Sequence, residues 1–408
     1  MAKRKRDSQG RLPRPLDGVH VLEMGQLIAG PLAGTLLAWF GAEVIKIEPP
    51  GEGDPLRGWR VLDRGTSLWW RSVGRNKRCV TLDLRKPAGR DLARRLAAWA
   101  DVVLENFRPG TMEAWGLGPR DLEPLNPRLV YARVSGYGQT GPDSRRGGYA
   151  AVCEAVGGLR YITGEPGAAS VRPNVSLGDH LAALETAFGI MVALYRRDAR
   201  AAGGSETVDV AIVESVARAL EGALAEHDFD GTVREPSGST VTGIAPTGAY
   251  PCADGRSVVI GANSTSNYTR LMDLIGRTGL ARDASLQTNA GRVARRAELD
   301  AAITEWTQAR ASGEVLEALA QATVPAGPIN TVADLLRDPH FRERGLLESC
   351  EVEGVPRALP VLGPRLQAAP GRTEWPGPAL GAHNREVFRD LLGLSDDEYA
   401  ALEAEGVV

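Results

Sequence analysis

"VHVLEMGQLIAGPLAGTLLAWFGAEVIKIE" occupies residues 19–48, and its three parts ask for three different structures. Val19–Met24 is a short apolar run of strand type. Gly30–Gly41 places small residues and leucines at helical spacing. Glu43–Glu48 alternates with a period of two, which predicts a second strand. Strand, helix and strand in close succession make a βαβ unit, and such units build parallel sheets, because parallel neighbours need a crossover between them. The pattern continues downstream with a strand at Arg78–Leu84, a helix at Gly89–Ala100, a strand at Asp101–Phe107 and a strand with a glycine end at Arg128–Gly138. The chain is therefore expected to be α/β, with a mainly parallel sheet covered by helices on both faces. Ligands of such sheets sit beyond the carboxyl ends of the strands, so the loops there are where chemistry is sought first.

The loop after the first strand carries Gly25, Gly30 and Gly34 but not GxGxxG, so the dinucleotide fingerprint is absent. It still runs into a helix N-terminus, whose unpaired N–H groups receive phosphates well. At 408 residues and 43% hydrophobic, the chain exceeds one compact core and predicts two domains. A net charge of −3 gives no field that draws it to nucleic acid or to a membrane. The one charge run, "MAKRKRDSQGRLPR" (1–14), reads as a solvated tail; no apolar signal core follows it, and no uninterrupted apolar stretch approaches bilayer length. Cys79, Cys153, Cys252 and Cys350 lie far apart with no CxxC, and the five histidines show no HxxxH spacing. Neither a disulfide framework nor a metal site is expected, and the thiols suit the cytoplasm.

Residues 174–197, "NVSLGDHLAALETAFGIMVALYRR", predict a long apolar helix with Asp179 at its head. Aspartate caps helices, and capping alone accounts for such a residue unless its surroundings assign it more. A strand-like start and another helix follow from Glu206. Residues 230–243 are rich in Gly, Ser and Thr and read as a linker. Gly248–Asn263 predicts a hairpin turning at Asp254-Gly255. The mixed block from about 240 to 330 reads as a smaller second domain. From Ala333 the chain reads as a return segment, with a proline-rich stretch and a last helix, "NREVFRDLLGL" (384–394).

"GAEVIKIEPP" (41–50), "RNK" (75–77), "ENFRPG" (105–110), "GYGQTGP" (136–142) and "SLGDHLAALETAFG" (176–189) occur in this order. With them the chain resembles the family III CoA-transferases, the CaiB/BaiF group that includes formyl-CoA:oxalate and carnitine CoA-transferases, from about Leu16 to the C-terminus. The resemblance implies a large Rossmann-like domain built from both ends of the chain, a smaller inserted α+β domain, and an interlocked homodimer. On that plan residues 1–225 supply the N-terminal part of the CoA-binding domain, 226–332 the small domain with its linkers, and 333–408 the return to the large domain. The resemblance also makes Asp179 the nucleophile. Its carboxylate attacks a thioester carbonyl, and the acyl group passes through a mixed anhydride and an aspartyl-CoA thioester. A helix N-terminus keeps such a carboxylate ionised and supplies amides for oxyanion charge, while Gly178 leaves room for substrate. Coenzyme A and its acyl thioester are then substrates and carrier; no metal or redox cofactor is implied.

Further positions match the family's CoA contacts. Leu27, Ile28 and Ala29 match the loop after the first strand; Gln26 stands one place earlier than the glutamine of the formyl enzyme, and Ile28 fills that slot. Asn76 and Lys77 match a segment lining the nucleotide. Asn106, Phe107 and Arg108 match the end of the fourth strand, with Arg108 as a phosphate partner. Ser135, Gly136 and Tyr137 match the segment near the thioester, where some members carry lysine in place of Ser135. Trp69 and Trp70 are read as core or interface aromatics in preference to an adenine platform. His180 follows the nucleophile by one residue, about 100° round the helix, and is read as structural. The stretch from "GDPLRGWR" (53–60) onward looks more like members using succinyl-CoA and dicarboxylic acids, and Arg57, Arg60, Arg71, Arg145, Arg146 and Arg172 are candidates to hold a second carboxylate. Three rival readings are weaker. A 2-methylacyl-CoA racemase of the same fold needs an acid–base pair where this chain has only "RRGGY" (145–149). A nicotinamide oxidoreductase lacks its fingerprint. A non-catalytic CoA-binding protein would not need Asp179 in its glycine setting.

Overall fold

A computed structural model describes residues 12–199 and 203–408; the basic run at residues 1–11 lies outside them. Two compact units are present. The first takes in the chain up to Gly158, Pro173–Leu220 and Gly345–Val408, and the second Leu159–Arg172 and Glu221–Arg344.

The first unit is built on six parallel strands, β1 (His20–Glu23), β2 (Glu43–Glu48), β3 (Lys77–Thr81), β4 (Val102–Glu105), β5 (Val130–Ser135) and β6 (Glu206–Ala211). Their order is 3-2-1-4-5-6. The chain begins at the centre, adds two strands to one side, then crosses back and adds three to the other. Between β1 and β4 the loops leave in opposite directions, and this reversal opens a crevice at the carboxyl edge of a Rossmann sheet. The strands are apolar runs because both faces are covered; Val21, Leu22, Ile45, Val80, Val103 and Ala132 are all buried. The covering helices include α1 (Ala29–Trp39), α2 (Pro87–Trp99), α3 (Ala150–Val156), α4 (Leu177–Ala199) and α5 (Ile212–Arg218). One core cluster joins Leu22, Ile45, Leu96 and Val103 to Val387, Phe388 and Val407, so the C-terminal segment fills the same interior as the first four strands.

The alternation in "EVIKIE" does not mark a solvated face. Lys46 is fully buried, 3.0 Å from Glu23 Oε1 and 3.0 Å from Asp54 Oδ2. Burial alone would push its ammonium down, but Glu23, Asp54 and Glu48 outweigh that and raise it, so it stays charged. Lys77, equally buried, reaches Glu23 Oε2 at 2.8 Å and the Pro31 carbonyl at 2.6 Å.

The second unit holds an antiparallel sheet of β7 (Thr247–Pro251), β8 (Ser257–Gly261) and β9 (Ala326–Pro328), with β8 central. The expected hairpin is β7–β8, and Gly255 takes the positive φ its turn requires. Helices at Thr265–Leu274, Arg296–Gln308 and Ser312–Gln321 pack a core of Val258, Ile260, Leu271, Ile303 and Leu319.

Three features depart from expectation. Part of the stretch read as a return segment is an antiparallel hairpin, β10 (Leu347–Val352) and β11 (Val355–Pro360), turning through Glu353 and Gly354 at positive φ. The helix at Glu386–Leu391 is wound as a π-helix, and a further helix at Asp396–Ala404 follows, opened by a capping box of Ser395 and Glu398. By length and composition α4 is also apolar enough to cross a membrane, although Asp179 and Glu185 interrupt its apolar run. In the fold it buries Ala182, Ala183, Ile190 and Leu194, while Leu184, Phe188, Met191, Val192 and Tyr195 remain exposed.

Candidate active site

A cavity of about 300 Å³ occupies the switch point. The loop after β1 brings Gln26, Leu27, Ile28 and Ala29 to it. The loop after β4 brings Asn106, Phe107 and Arg108, the end of β5 brings Ser135 and Gly136, and the first turn of α4 brings Asp179. Residues as far apart in the chain as Gln26 and Asp179 converge at the carboxyl edge of the same sheet.

The first two loops are locked together by one side chain. Asn106 Oδ1 accepts from the Gln26 amide and Asn106 Nδ2 donates to the Gln26 carbonyl, both at 2.8 Å. Glycine at position 25 permits this approach, since a Cβ there would stand 2.8 Å from Asn106 Oδ1. Leu27 is then held at φ 65°, a conformation uncommon for a branched residue, by two hydrogen bonds of 3.1 Å from its amide to the Asp54 carboxylate. Asp54 is itself anchored by Lys46. The buried charges of β1, β2 and β3 thus support the cavity floor from below.

Asp179 is half-buried, in the first turn of α4, and lines the cavity. Gly178 does not make room for substrate, as the sequence reading had it. A Cβ there would meet Ile212 and Val216 of α5 at 3.2 Å and Glu154 of α3 at 3.4 Å, so the glycine admits the neighbouring helices. His180 turns away, with Nδ1 2.8 Å from the Ser176 carbonyl, and lines a separate groove with Trp69.

At the end of β5, Ser135 Oγ is buried and has no hydrogen-bond partner within the described residues. Gly136 packs directly on Gly148, where a Cβ on either would lie 2.8 Å from the other's Cα. This contact makes Arg146–Tyr149 a wall of the cavity. Cys153 lies behind it, 3.7 Å from the Gly136 carbonyl. Burial, with the carboxylates of Asp179 and Glu154, pushes its thiol up to about 12, which leaves it inert as a nucleophile at neutral pH.

The remaining sequence candidates lie elsewhere. Tyr137 does not line the cavity; its ring lies under the Arg146 guanidinium, 5.8 Å away. Asn76 ties two chain segments together, donating to the Arg372 carbonyl at 2.8 Å and accepting from the Glu374 amide at 2.7 Å. Lys77 is part of the buried network beneath α1. Trp70 is core, with Nε1 donating to the Pro378 carbonyl at 2.9 Å and Arg57 stacked over its ring at 3.9 Å. Among the arginines, Arg57 is bound to Glu48 and Arg71 to Glu353 and the Gly377 carbonyl. Arg60 stacks on Trp69 at 4.6 Å, and Arg172 belongs to the second unit. Arg145 is not part of the lining; Arg146 is, beside Arg108. Sequence reasoning missed Gly147–Tyr149 as a wall, along with Asp54 and Glu154 as supports. The paired glycines at 147–148 were the available signal.

The sequence model of CoA-transferase family III matches residues 16–384. The chain belongs to CoA-transferase family III. The match confirms the motif resemblance and covers every wall of the cavity. This family III enzyme is 45% identical over 403 residues to a succinyl-CoA–D-citramalate CoA-transferase of Chloroflexus aurantiacus, covering 98% of this chain and 100% of that one. It is 38% identical over 403 residues to a succinyl-CoA–L-malate CoA-transferase alpha subunit of Chloroflexus aurantiacus, covering 98% and 94%. A crystal structure of a CaiB/BaiF family protein from Brucella suis shares its fold with a TM-score of 0.81 at 34% identity, covering 93% of this chain and 100% of the other.

Proposed function

We propose that this family III CoA-transferase moves CoA from succinyl-CoA to a small dicarboxylic or hydroxydicarboxylic acid through covalent intermediates on Asp179. The observation that carries this reading is the place of the Asp179 carboxylate, at a helix start inside the switch-point cavity. Acyl group, CoA and acid must all meet there. An Asp179 oxygen attacks the thioester carbonyl carbon, the C–S bond breaks, and CoA leaves as thiolate with the acyl group held as a mixed anhydride. The thiolate then attacks the Asp179 carbonyl carbon and releases the donor acid as a carboxylate, leaving an aspartyl-CoA thioester. The acceptor carboxylate attacks that thioester, and the same steps in reverse deliver its own CoA ester and restore Asp179. No net proton or electron is exchanged.

Arg108, exposed at the end of β4, suits a CoA phosphate, and the amides after β1 line the same wall. Arg146, exposed on the cavity wall, suits a distal carboxylate. Both relatives named above are called succinyl-CoA-dependent transferases to four-carbon-chain dicarboxylates, which favours that acceptor class here. Asp179 is the one acidic residue of the cavity lining, and no histidine is among those residues, so a racemase's proton relay has no second member. The exposed apolar side of α4 supports a homodimer in which a second copy covers it.

Asp179→Ala or Asp179→Asn is expected to lower kcat by about a thousandfold or more while CoA binding stays within a few-fold. Hydroxylamine or borohydride trapping during turnover by the parent enzyme is expected to mark the peptide around residue 179, read by mass spectrometry. An active Ala variant, or turnover without that mark, would refute the mechanism.

A further inference from the structure

Between β1 and α1 the backbone is held by side chains from elsewhere in the sheet. Lys46 Nζ donates to the Gly25 carbonyl at 2.6 Å. Asn106 takes both the amide and the carbonyl of Gln26, and the two oxygens of Asp54 take the Leu27 amide. Four main-chain groups in succession are thus bound by side chains of β2, of the loop after β4 and of the loop after β2. Asp54, 1% exposed, also has a local task, since its Oδ1 accepts the Leu56 amide at 2.9 Å and caps the turn at Pro55–Gly58. Capping that turn requires no contact with Leu27, 27 positions earlier, and no ammonium of Lys46 at 3.0 Å.

The second contact has a use at the cavity. A side chain with a Cβ is disfavoured at φ 65°, and Leu27 adopts it where the buried carboxylate grips its amide. Strain of this kind persists only where the surroundings over-determine it, and it gathers at ligand sites. Directly after Leu27 the chain enters α1, and all of Gln26–Ala29 lines the cavity. Release of Leu27 to negative φ would turn Ile28 and Ala29 off that wall. A wall fixed during folding need not be ordered again when a ligand arrives, so affinity does not bear the ordering cost. We propose that Asp54 is a positioning residue for CoA: braced by Lys46, it keeps Leu27 in the left-handed region and so presets the wall between β1 and α1. The inference rests on the reading of this cavity as the CoA site.

Asp54→Asn keeps the size of the side chain but cannot offer oxygen to the Leu27 amide, the Leu56 amide and Lys46 together. It is expected to weaken CoA binding about tenfold by calorimetry and to raise KM for succinyl-CoA in step, with kcat changed less than about threefold. A role confined to stability would leave the affinity of the folded variant at the parental value. A double-mutant cycle isolates the backbone. Leu27→Ala and Leu27→Gly both lose the leucine side chain, but glycine alone takes φ 65° freely. With Asp54 in place their dissociation constants for CoA are expected to agree within about twofold. In the Asp54→Asn background Leu27→Gly is expected to bind at least about fivefold more tightly than Leu27→Ala. If Asp54→Asn does not fold, Leu27→Val and Leu27→Met carry the test with Asp54 intact, and the β-branched variant is expected to bind about fivefold more weakly. A folded Asp54→Asn variant with parental affinity would overturn the inference. So would one Gly-to-Ala ratio in both backgrounds, or equal affinities of the Val and Met variants. A parent enzyme that binds no CoA would instead refute the reading of the cavity, so the two failures are distinct.

Discussion

Arg146 lies on the cavity wall with its guanidinium 3.2 Å from Asp143 and above the Tyr137 ring. Both partners hold it weakly, since its side chain is 65% exposed and an exposed ion pair is worth little. On the proposed reading, a dicarboxylate competes with Asp143 on easy terms. In a double-displacement exchange the donor acyl group and the acceptor acid pass through one position in turn, so a single guanidinium serves both. Arg146→Gln is expected to lower kcat/KM for succinyl-CoA and for C4 dicarboxylates by about 10–100-fold, the range for a lost charge-assisted hydrogen bond. Monocarboxylic donors and acceptors are expected to lose no more than a tenth of that, measured side by side with defined acyl-CoA pairs. Equal losses for both classes would remove Arg146 from substrate recognition. Much at this scale was legible, because Asp179, Asn106 and Arg108 stand directly at the ends of elements that the pattern predicts. Asn76 and Lys77 were not: Lys77 meets Glu23 across 54 positions, and nothing in the local string "RNK" distinguishes a buried ion pair from a ligand contact.

Among the elements, α4 is the one whose two sides do different work. Ala182, Ala183, Ile190 and Leu194 face the interior, and a second stripe of Leu184, Phe188, Val192 and Tyr195 faces outward. A helix apolar nearly all round shows little periodicity, so the sequence predicts burial but not that one side of the helix is left exposed in the chain. Phe188 is 71% exposed, and its removal leaves the interior of the first unit untouched. Phe188→Glu is therefore expected to convert a dimer into monomers by light scattering after size exclusion, with far-ultraviolet circular dichroism unchanged. A parent enzyme that is already monomeric would dismiss the second copy as the partner of this stripe. The hairpin β10–β11 escaped the sequence reading because β11 holds Pro356 and Pro360, and in β10 Glu348 and Glu351 are three residues apart, which breaks a period of two. The strand β9 escaped because three residues carry no period.

For the whole molecule, alternation of strand and helix was enough to predict a parallel sheet, but not the order 3-2-1-4-5-6 that creates the crevice. Order follows from which side each crossover takes, and that depends on contacts between distant segments. Overall stability carries a pH signature of a second buried charge group in the same sheet. Glu105 is buried and raised to about 7 by that burial, only partly offset by Arg133 at 2.8 Å, while its other oxygen accepts the Phe107 amide at 2.7 Å. Arg133 is shared with Glu113 at 2.6 Å. Between the ordinary glutamate range and pH 7 the folded protein thus holds a proton that the unfolded chain has released, so stability from this group falls as pH rises. The parent's stability relative to Glu105→Gln is expected to decline by about 2–3 kcal/mol from pH 5 to pH 8, measured by urea denaturation. A flat difference would mean that Glu105 titrates like a surface carboxylate.

Val387, Phe388 and Val407 complete an interior begun by Leu22 and Ile45. During synthesis, the strands made first must therefore wait with an open apolar hollow while roughly three hundred further residues emerge, and the antiparallel sheet of the second unit, whose strands end at Pro328, is finished before them. A nascent chain stalled ahead of residue 384 would carry that hollow uncovered, as a binding surface for chaperones until the last segment arrives to fill it.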